Sequence, residues 1–225
     1  MVIADIADDK GKALAAELGE RVAFVHTDAG DDDTIAEAIQ EASRLGTLRY
    51  TVVAHGGGGA VERIVGRDGT PARLDTFKQT IDGYLTGSFN VARLTAAAIA
   101  ASPPAQGGER GALVLTASIA GYEGQIGQSA YTAAKAGIIG LTLVAARDLG
   151  SLGVRVNTIA PGTMKTPIME SVGEELISKL TAGVPFPKRL GEPEEYADAA
   201  VFLLSNGYVN GEVLRLDGAQ RFAPK

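Results

Sequence analysis

Thr116-Ala117-Ser118-Ile119-Ala120-Gly121-Tyr122-Glu123-Gly124-Gln125-Ile126-Gly127-Gln128-Ser129-Ala130-Tyr131-Thr132-Ala133-Ala134-Lys135 is the stretch on which the reading of this chain turns. An apolar run from Ala112 ends in it at Thr116, which predicts a buried strand with Ser118 just past its end. A Gly-rich connection follows, then an Ala-rich helix carrying Tyr131 and Lys135. Residues four apart on a helix share a face about one turn apart, so the phenol and the ammonium point the same way. An ammonium near a phenol favours the phenolate and lowers a pKa that is ordinarily about 10. Such a Tyr can act as a general acid or base near neutral pH. Ser118 could hold a substrate oxygen against that phenol by hydrogen bonding. In most helices a lone Tyr-x-x-x-Lys is a packed Tyr beside a solvated Lys; the strand, Ser and Gly-rich loop ahead of it make this one chemical.

The same grammar extends outward on both sides. Val2–Ile6 reads as a buried strand, Gly11–Leu18 as a helix closed by Gly19, and Arg21–His26 as a second strand followed by Asp28. Asp31–Leu45 reads as a helix with acidic residues in its first turn, where they complement the helix dipole. Tyr50–Ala54 is a third strand running into Gly56-Gly57-Gly58-Gly59, and Thr76–Ala101 is a long helix stopped by Pro103-Pro104. Val154–Ile159 and Val213–Leu216 are further strands, with a helix from Pro193 to about Leu204 between them. Strands alternating with helices in this way predict an α/β fold, a parallel sheet covered on both faces. No linker or repeat divides it, so residues 1–225 read as one domain.

Composition removes several function classes. The net charge is −6 with no run of Lys or Arg, which argues against nucleic-acid or anionic-membrane partners. There is no Cys, hence no disulfide and no thiolate metal site, and the presence of only two His argues against a catalytic zinc, so no metal is expected. No apolar stretch reads as a membrane span and the N-terminus has no signal-peptide pattern, so the expectation is a cytoplasmic protein.

With these residues in place, the chain resembles the short-chain dehydrogenases/reductases over its whole length. Ser118, Tyr131 and Lys135 keep the family's active-site spacing. Pro185-Phe186-Pro187-Lys188-Arg189-Leu190-Gly191 and Asn210-Gly211-Glu212-Val213-Leu214-Arg215-Leu216-Asp217-Gly218-Ala219 are similar to the tail of the type II 3-hydroxyacyl-CoA dehydrogenases, also called type 10 17β-hydroxysteroid dehydrogenases. Gly108-Glu109-Arg110-Gly111 and Glu123–Gln128 fit the same group. The resemblance implies a Rossmann-like, doubly wound, three-layer sheet and NAD(H)-dependent interconversion of a secondary alcohol and a ketone. Tyr131 would move the proton, Lys135 would lower the Tyr131 pKa and bind the nicotinamide ribose, and Ser118 would orient the carbonyl. Gln128 would lie near the substrate.

In parallel sheets ligands lie beyond the carboxyl ends of the strands. Asp5 ends the first visible strand, where an acidic side chain suits the ribose hydroxyls of NAD and repels the extra phosphate of NADP. The resemblance places Asp28 and Ala29 at the adenine, His55 and Gly57 along the cofactor edge, and Met164 and Thr166 in the loop that holds the nicotinamide carboxamide. His55 reads as a loop His rather than a catalytic one. Residues 167–187, with Ile168, Met169, Leu176, Ile177 and Phe186, would be a mobile substrate cover. A hydroxyacyl or steroid-like substrate, and a homotetramer or homodimer built on the two long Ala- and Leu-rich helices, are expected on the same ground.

Three departures from the family stand out. Its first strand and the Gly-rich Thr-Gly-x-x-x-Gly-x-Gly turn that receives the pyrophosphate are missing, and the visible chain opens on the family's second strand. The turn after the third strand reads Ala54-His55-Gly56-Gly57, without the polar Asn that ties neighbouring strands. The family's helix Asn beside the Lys corresponds to Tyr84, and Asn90, six residues on, faces elsewhere. For the missing strand three arrangements are open. An upstream segment outside this sequence supplies it, another segment fills its place, or Val2–Ile6 moves into the centre; the first is the expectation. These departures also support a competing reading, a family member that has lost cofactor binding and serves as a subunit or binding module.

Overall fold

A computed structural model describes residues 1–56, 61–170 and 173–224, without the side chains of Ile168, Glu170 and Leu176. Gly57, Gly58 and Gly59 therefore lie outside the described residues, as do two apolar side chains of the expected substrate cover, those of Ile168 and Leu176. The elements run β1 (Val2–Asp5), α1 (Asp8–Leu18), β2 (Ala23–His26), α2 (Asp32–Leu45), β3 (Tyr50–Val53) and α3 (Leu74–Ile81). A π-helical turn, Asp82–Thr86, joins α3 without interruption to α4 (Gly87–Ala100). There follow β4 (Gly111–Thr116), α5 (Ser129–Gly150), β5 (Val154–Pro161), α6 (Pro167–Glu170), α7 (Glu174–Ala182), α8 (Pro193–Ser205) and β6 (Val213–Leu216).

β4 and β5 are the centre of the fold, and their side chains sort by parity onto two faces. Leu113 and Leu115 of β4 and Val154 and Val156 of β5 pack with Ala92, Ala96 and Ile99 of α4 and Ile138 and Ala146 of α5. Val114 and Ile159 point to the other face, against Ala200 and Leu203 of α8. Each such Leu or Ile fully removed from water stabilises by about 1.5–3 kcal/mol. This gives the three layers expected from strands that are apolar along their whole length.

Every strand pairing is parallel, but the strands form two ladders. β1 pairs with β2, and β3-β4-β5-β6 form a four-stranded sheet in that order. Helices join the two: α2 lies against β1, β2 and α4, while α4 lies against β3 and β4. Val2–Asp5 has thus not moved in beside β3, which removes the third arrangement considered for the family's first strand. Among the described residues no other strand pairs with either ladder's free edge, which removes the second. One face of β3 is correspondingly open, with Tyr50 at 51% and Val52 at 41% exposure.

α5 corrects the reading that no stretch is long and apolar enough to cross a membrane. It has 22 residues and passes by length and composition. Here it packs along β5, α3 and the turn after β4, as the core helix of an α/β sandwich does.

Backbone contact limits what the sheet's entrance tolerates. A Cβ on Gly111, the first residue of β4, would stand 1.9 Å from the carbonyl oxygen of Arg49, which accepts the N–H of Ala112. Gly111→Ala is expected to destabilise by about 1–3 kcal/mol, as overpacking against immovable backbone does. A lowered urea midpoint at unchanged slope checks this; an unchanged midpoint contradicts it.

Candidate active site

β4 delivers its chain to the site and then breaks. Ser118 caps a short turn, Ile119–Gly121, by accepting the Ala120 N–H on its Oγ at 3.1 Å. That bond fixes the hydroxyl at the strand's carboxyl end with 9% exposure. The loop from Tyr122 to Gln128 is held from the C-terminal side. Arg215 donates to Glu123 at 2.9 Å and lies 5.0 Å from the Tyr122 ring centre, and Ile126 N–H donates to the carbonyl of Pro224 at 3.0 Å.

Ser129 then opens α5, which brings Tyr131 and Lys135 onto the same face as the i, i+4 spacing requires. Lys135 is 2% exposed, and its Nζ donates to the carbonyl oxygen of Thr116 at 2.9 Å. Two aromatic rings border the same ammonium: the Tyr131 ring centre is 5.8 Å away and the Tyr84 ring centre 5.0 Å. The two rings meet edge to face, 5.4 Å between centres at 87°. Desolvation lowers the Lys135 pKa to about 8.

The phenol differs from the expectation drawn from spacing. Burial raises the Tyr131 pKa above its ordinary value, and a hydrogen-bonding contact with Ser118 pulls it part of the way back. The neighbouring ammonium does not dominate, because the same desolvation that disfavours the phenolate disfavours the ammonium as well. Ser118, rather than Lys135, is the group that works directly on this hydroxyl.

The expected cofactor residues lie at strand ends but are not equally available. Asp5 is exposed at the end of β1, with Oδ1 accepting the Ala7 N–H at 2.7 Å and its other oxygen without a hydrogen-bond partner among the described residues. Asp28, beyond β2, accepts the Gly30 N–H at 2.8 Å. The carbonyl of Ala29 accepts from the buried Asn90 amide at 3.0 Å, so Asn90 faces this loop and not Lys135. His55 Nε2 lies 2.9 Å from the Gly83 carbonyl and must donate to it, while burial lowers its pKa; only Nδ1 remains for a ligand. Beyond β5, Met164 bridges to Gly191, and the exposed Thr166 accepts the Met169 N–H at 3.4 Å.

Gln128 donates to Gln125 Oε1 at 3.3 Å, while its own buried Oε1 has no partner among the described residues. The backbone of Glu62 crosses this loop, its N–H donating to the Gly127 carbonyl at 2.8 Å. Between them opens a cleft of about 470 Å³, lined by Arg63, Ile64 and Val65 on one side and Ile126, Ser129 and Thr132 on the other. Across the sheet, the expected cover is tied down where Gln220 Nε2 donates to the Leu180 carbonyl at 3.1 Å and Val184 is buried.

Two contributors were not found from sequence. Thr116 supplies the carbonyl for Lys135, and its hydroxyl donates to the Val53 carbonyl at 2.6 Å beside Tyr196 Oη, also at 2.6 Å. The signal available was a polar residue closing an apolar strand two positions before Ser118. Tyr84, the second, reads in the sequence only as the position of the family's Asn.

The family profile described as enoyl-(acyl carrier protein) reductase matches residues 1–219. The chain is 42% identical to 3-hydroxyacyl-CoA dehydrogenase type-2 of Drosophila melanogaster over 100% of its own length and 88% of that protein's. It is 41% identical to the human protein of the same name, over 99% and 86%. Among solved structures, the crystal structure of 3-hydroxyacyl-CoA dehydrogenase type-2 from Mycobacterium avium superposes with a TM-score of 0.98 at 69% identity, covering 100% of this chain and 87% of that one.

Proposed function

The chain belongs to the short-chain dehydrogenase/reductase family of oxidoreductases, and from that premise we propose that it interconverts a secondary alcohol and a ketone with NAD(H), on a 3-hydroxyacyl-CoA or a hydroxysteroid. The observation that carries the reading is one corner of the fold. Ser118, Tyr131 and Lys135 meet at the end of β4, with the ammonium buried and bonded to Thr116.

The chain's own groups divide the work. Ser118 donates to the substrate oxygen and keeps it against Tyr131, the preorganised donor that meets developing charge. Tyr131 takes the proton in the oxidative direction and returns it in the reductive one. Lys135 supplies positive charge one helical turn below and favours the phenolate when Tyr131 must release its proton. The bound dinucleotide would accept or donate hydride.

The donor set fits such a dinucleotide at two points. Asp5 offers a free carboxylate oxygen for ribose hydroxyls at a carboxyl strand end, and Lys135 offers an ammonium for the second ribose. An acidic Asp5 favours NAD over NADP, whose extra phosphate it would repel. The cleft beside Gln128, apolar along Ile64, Val65 and Ile126 with Arg63 at its edge, suits an acyl chain with an anionic carrier. Half-exposed Phe89 on α4 and Leu143 and Val144 on α5 favour assembly of a homotetramer or homodimer on these helices.

The separation of β1–β2 from the four-stranded sheet favours a second reading, a subunit or binding module without cofactor. Titration with NADH and NADPH, read by cofactor fluorescence, separates the two. Saturable NADH binding with weaker NADPH binding is expected. Saturation by neither would move the assignment to the binding module.

A further inference from the structure

The π-helical turn Asp82–Thr86 places an aromatic ring where the buried ammonium needs a counterpart. A π-turn widens the helix by one residue and often marks a functional position. Here it is packed onto α5: the Leu85 side chain of the turn lies over Gly137, where a Cβ would stand 2.6 Å from Leu85 Cδ2 and would require that side chain to shift. His55 pins the same turn through the Gly83 carbonyl at 2.9 Å. The turn is therefore held from two sides with Tyr84 between them.

We propose that Tyr84 is a positioning residue for Lys135, its ring face stabilising the buried ammonium and its edge packing fixing Tyr131. The distances are those of a cation–π contact, 5.0 Å from Nζ to the Tyr84 ring centre, and of an edge-to-face aromatic pair at 5.4 Å. Lys135 has the Thr116 carbonyl as its hydrogen-bond acceptor and no carboxylate beside it among the described contacts. A ring face carries negative potential without adding an anion, so it holds the ammonium while leaving its field on Tyr131 unneutralised. An Asp or Glu in its place would hold the charge better and cancel that field.

The other ionisable groups around Lys135 do not take this role. Tyr131 comes from its own helix, and His55, neutral and bonded to Gly83, comes from the loop after β3. Asp75 and Lys78 of α3 and Asp82 of the π-turn are exposed to solvent. Arg155 of β5 is turned to Glu109 and to the carbonyls of Leu203, Leu204 and Val209. β4 and the turn after it bring no ionisable side chain. Burial already lowers the Lys135 pKa to about 8, so loss of the ring would carry it toward neutrality.

The contribution to turnover rests on the proposed function, but the contact itself can be tested without turnover. The ε-carbon NMR shift of Lys135 in isotope-labelled protein, assigned by its loss in Lys135→Met, gives the pKa directly. Tyr84→Phe keeps the ring face and is expected to leave that pKa within a few tenths of a unit. Tyr84→Leu should lower it by about one pH unit. Tyr84→Met, unbranched and of similar bulk, should do the same and serves if the leucine variant does not fold. An unchanged pKa in both aliphatic variants would overturn the proposal. So would a fall in Tyr84→Phe as large as in Tyr84→Leu, which would assign the effect to the hydroxyl. If the protein turns over, the acid limb of its pH profile should move with the same variants.

Discussion

Tyr131→Phe is expected to lower kcat/KM by at least about 10²–10⁴-fold, the range that general acid–base catalysis supplies. The change removes one oxygen and leaves the ring that packs against Tyr84 at 5.4 Å, so the thermal midpoint should hardly move. Ser118 loses one hydroxyl partner but keeps its bond from Ala120 at 3.1 Å, and the turn after β4 should persist. Steady-state rates beside a melting curve check both parts. Activity equal to wild type would end the assignment of the phenol.

Lys135→Met carries the second large effect, on rate and on stability together. Without the ammonium, Tyr131 keeps the burial that raises its pKa, offset only in part by Ser118, and loses the cation that can favour a phenolate during proton release; the remaining activity should fall about 10²-fold or more and require higher pH. The stability effect has a defined window. Lys135 titrates at about 8 when folded and at the ordinary 10.5 when unfolded. Between these values the unfolded chain binds more protons, so this residue makes stability rise with pH from about 8 to 10.5, and below 8 it carries its full penalty. Urea unfolding across that window should show the rise in wild type and a flatter curve in Lys135→Met. Parallel curves would contradict the burial of the charge.

How much of this was legible beforehand follows from what is local. Ser118 past a strand end and Tyr131 and Lys135 four apart on a helix are relations within 18 residues, and backbone geometry fixes them before any packing. Strand and helix order was equally readable, because the apolar runs of β4 and β5 exclude one-sided burial. The π-turn was not legible: one extra residue per turn leaves the apolar pattern of α3 and α4 almost unchanged, so Tyr84 looked like a lost Asn. The balance at Tyr131 was hidden for a related reason. Spacing shows who the neighbours are, while a pKa depends on how dry they are. His55 looked open to a ligand until its bond to Gly83 appeared, 28 residues away in sequence.

The most direct test of the account is hydride transfer itself. The protein is mixed with NAD and a 3-hydroxyacyl-CoA, with a hydroxysteroid in a parallel sample, and NADH formation is followed together with the ketone. The account predicts NADH and ketone in equal amounts from at least one of them, lost in Tyr131→Phe. A folded, NADH-binding protein that forms neither product would contradict it.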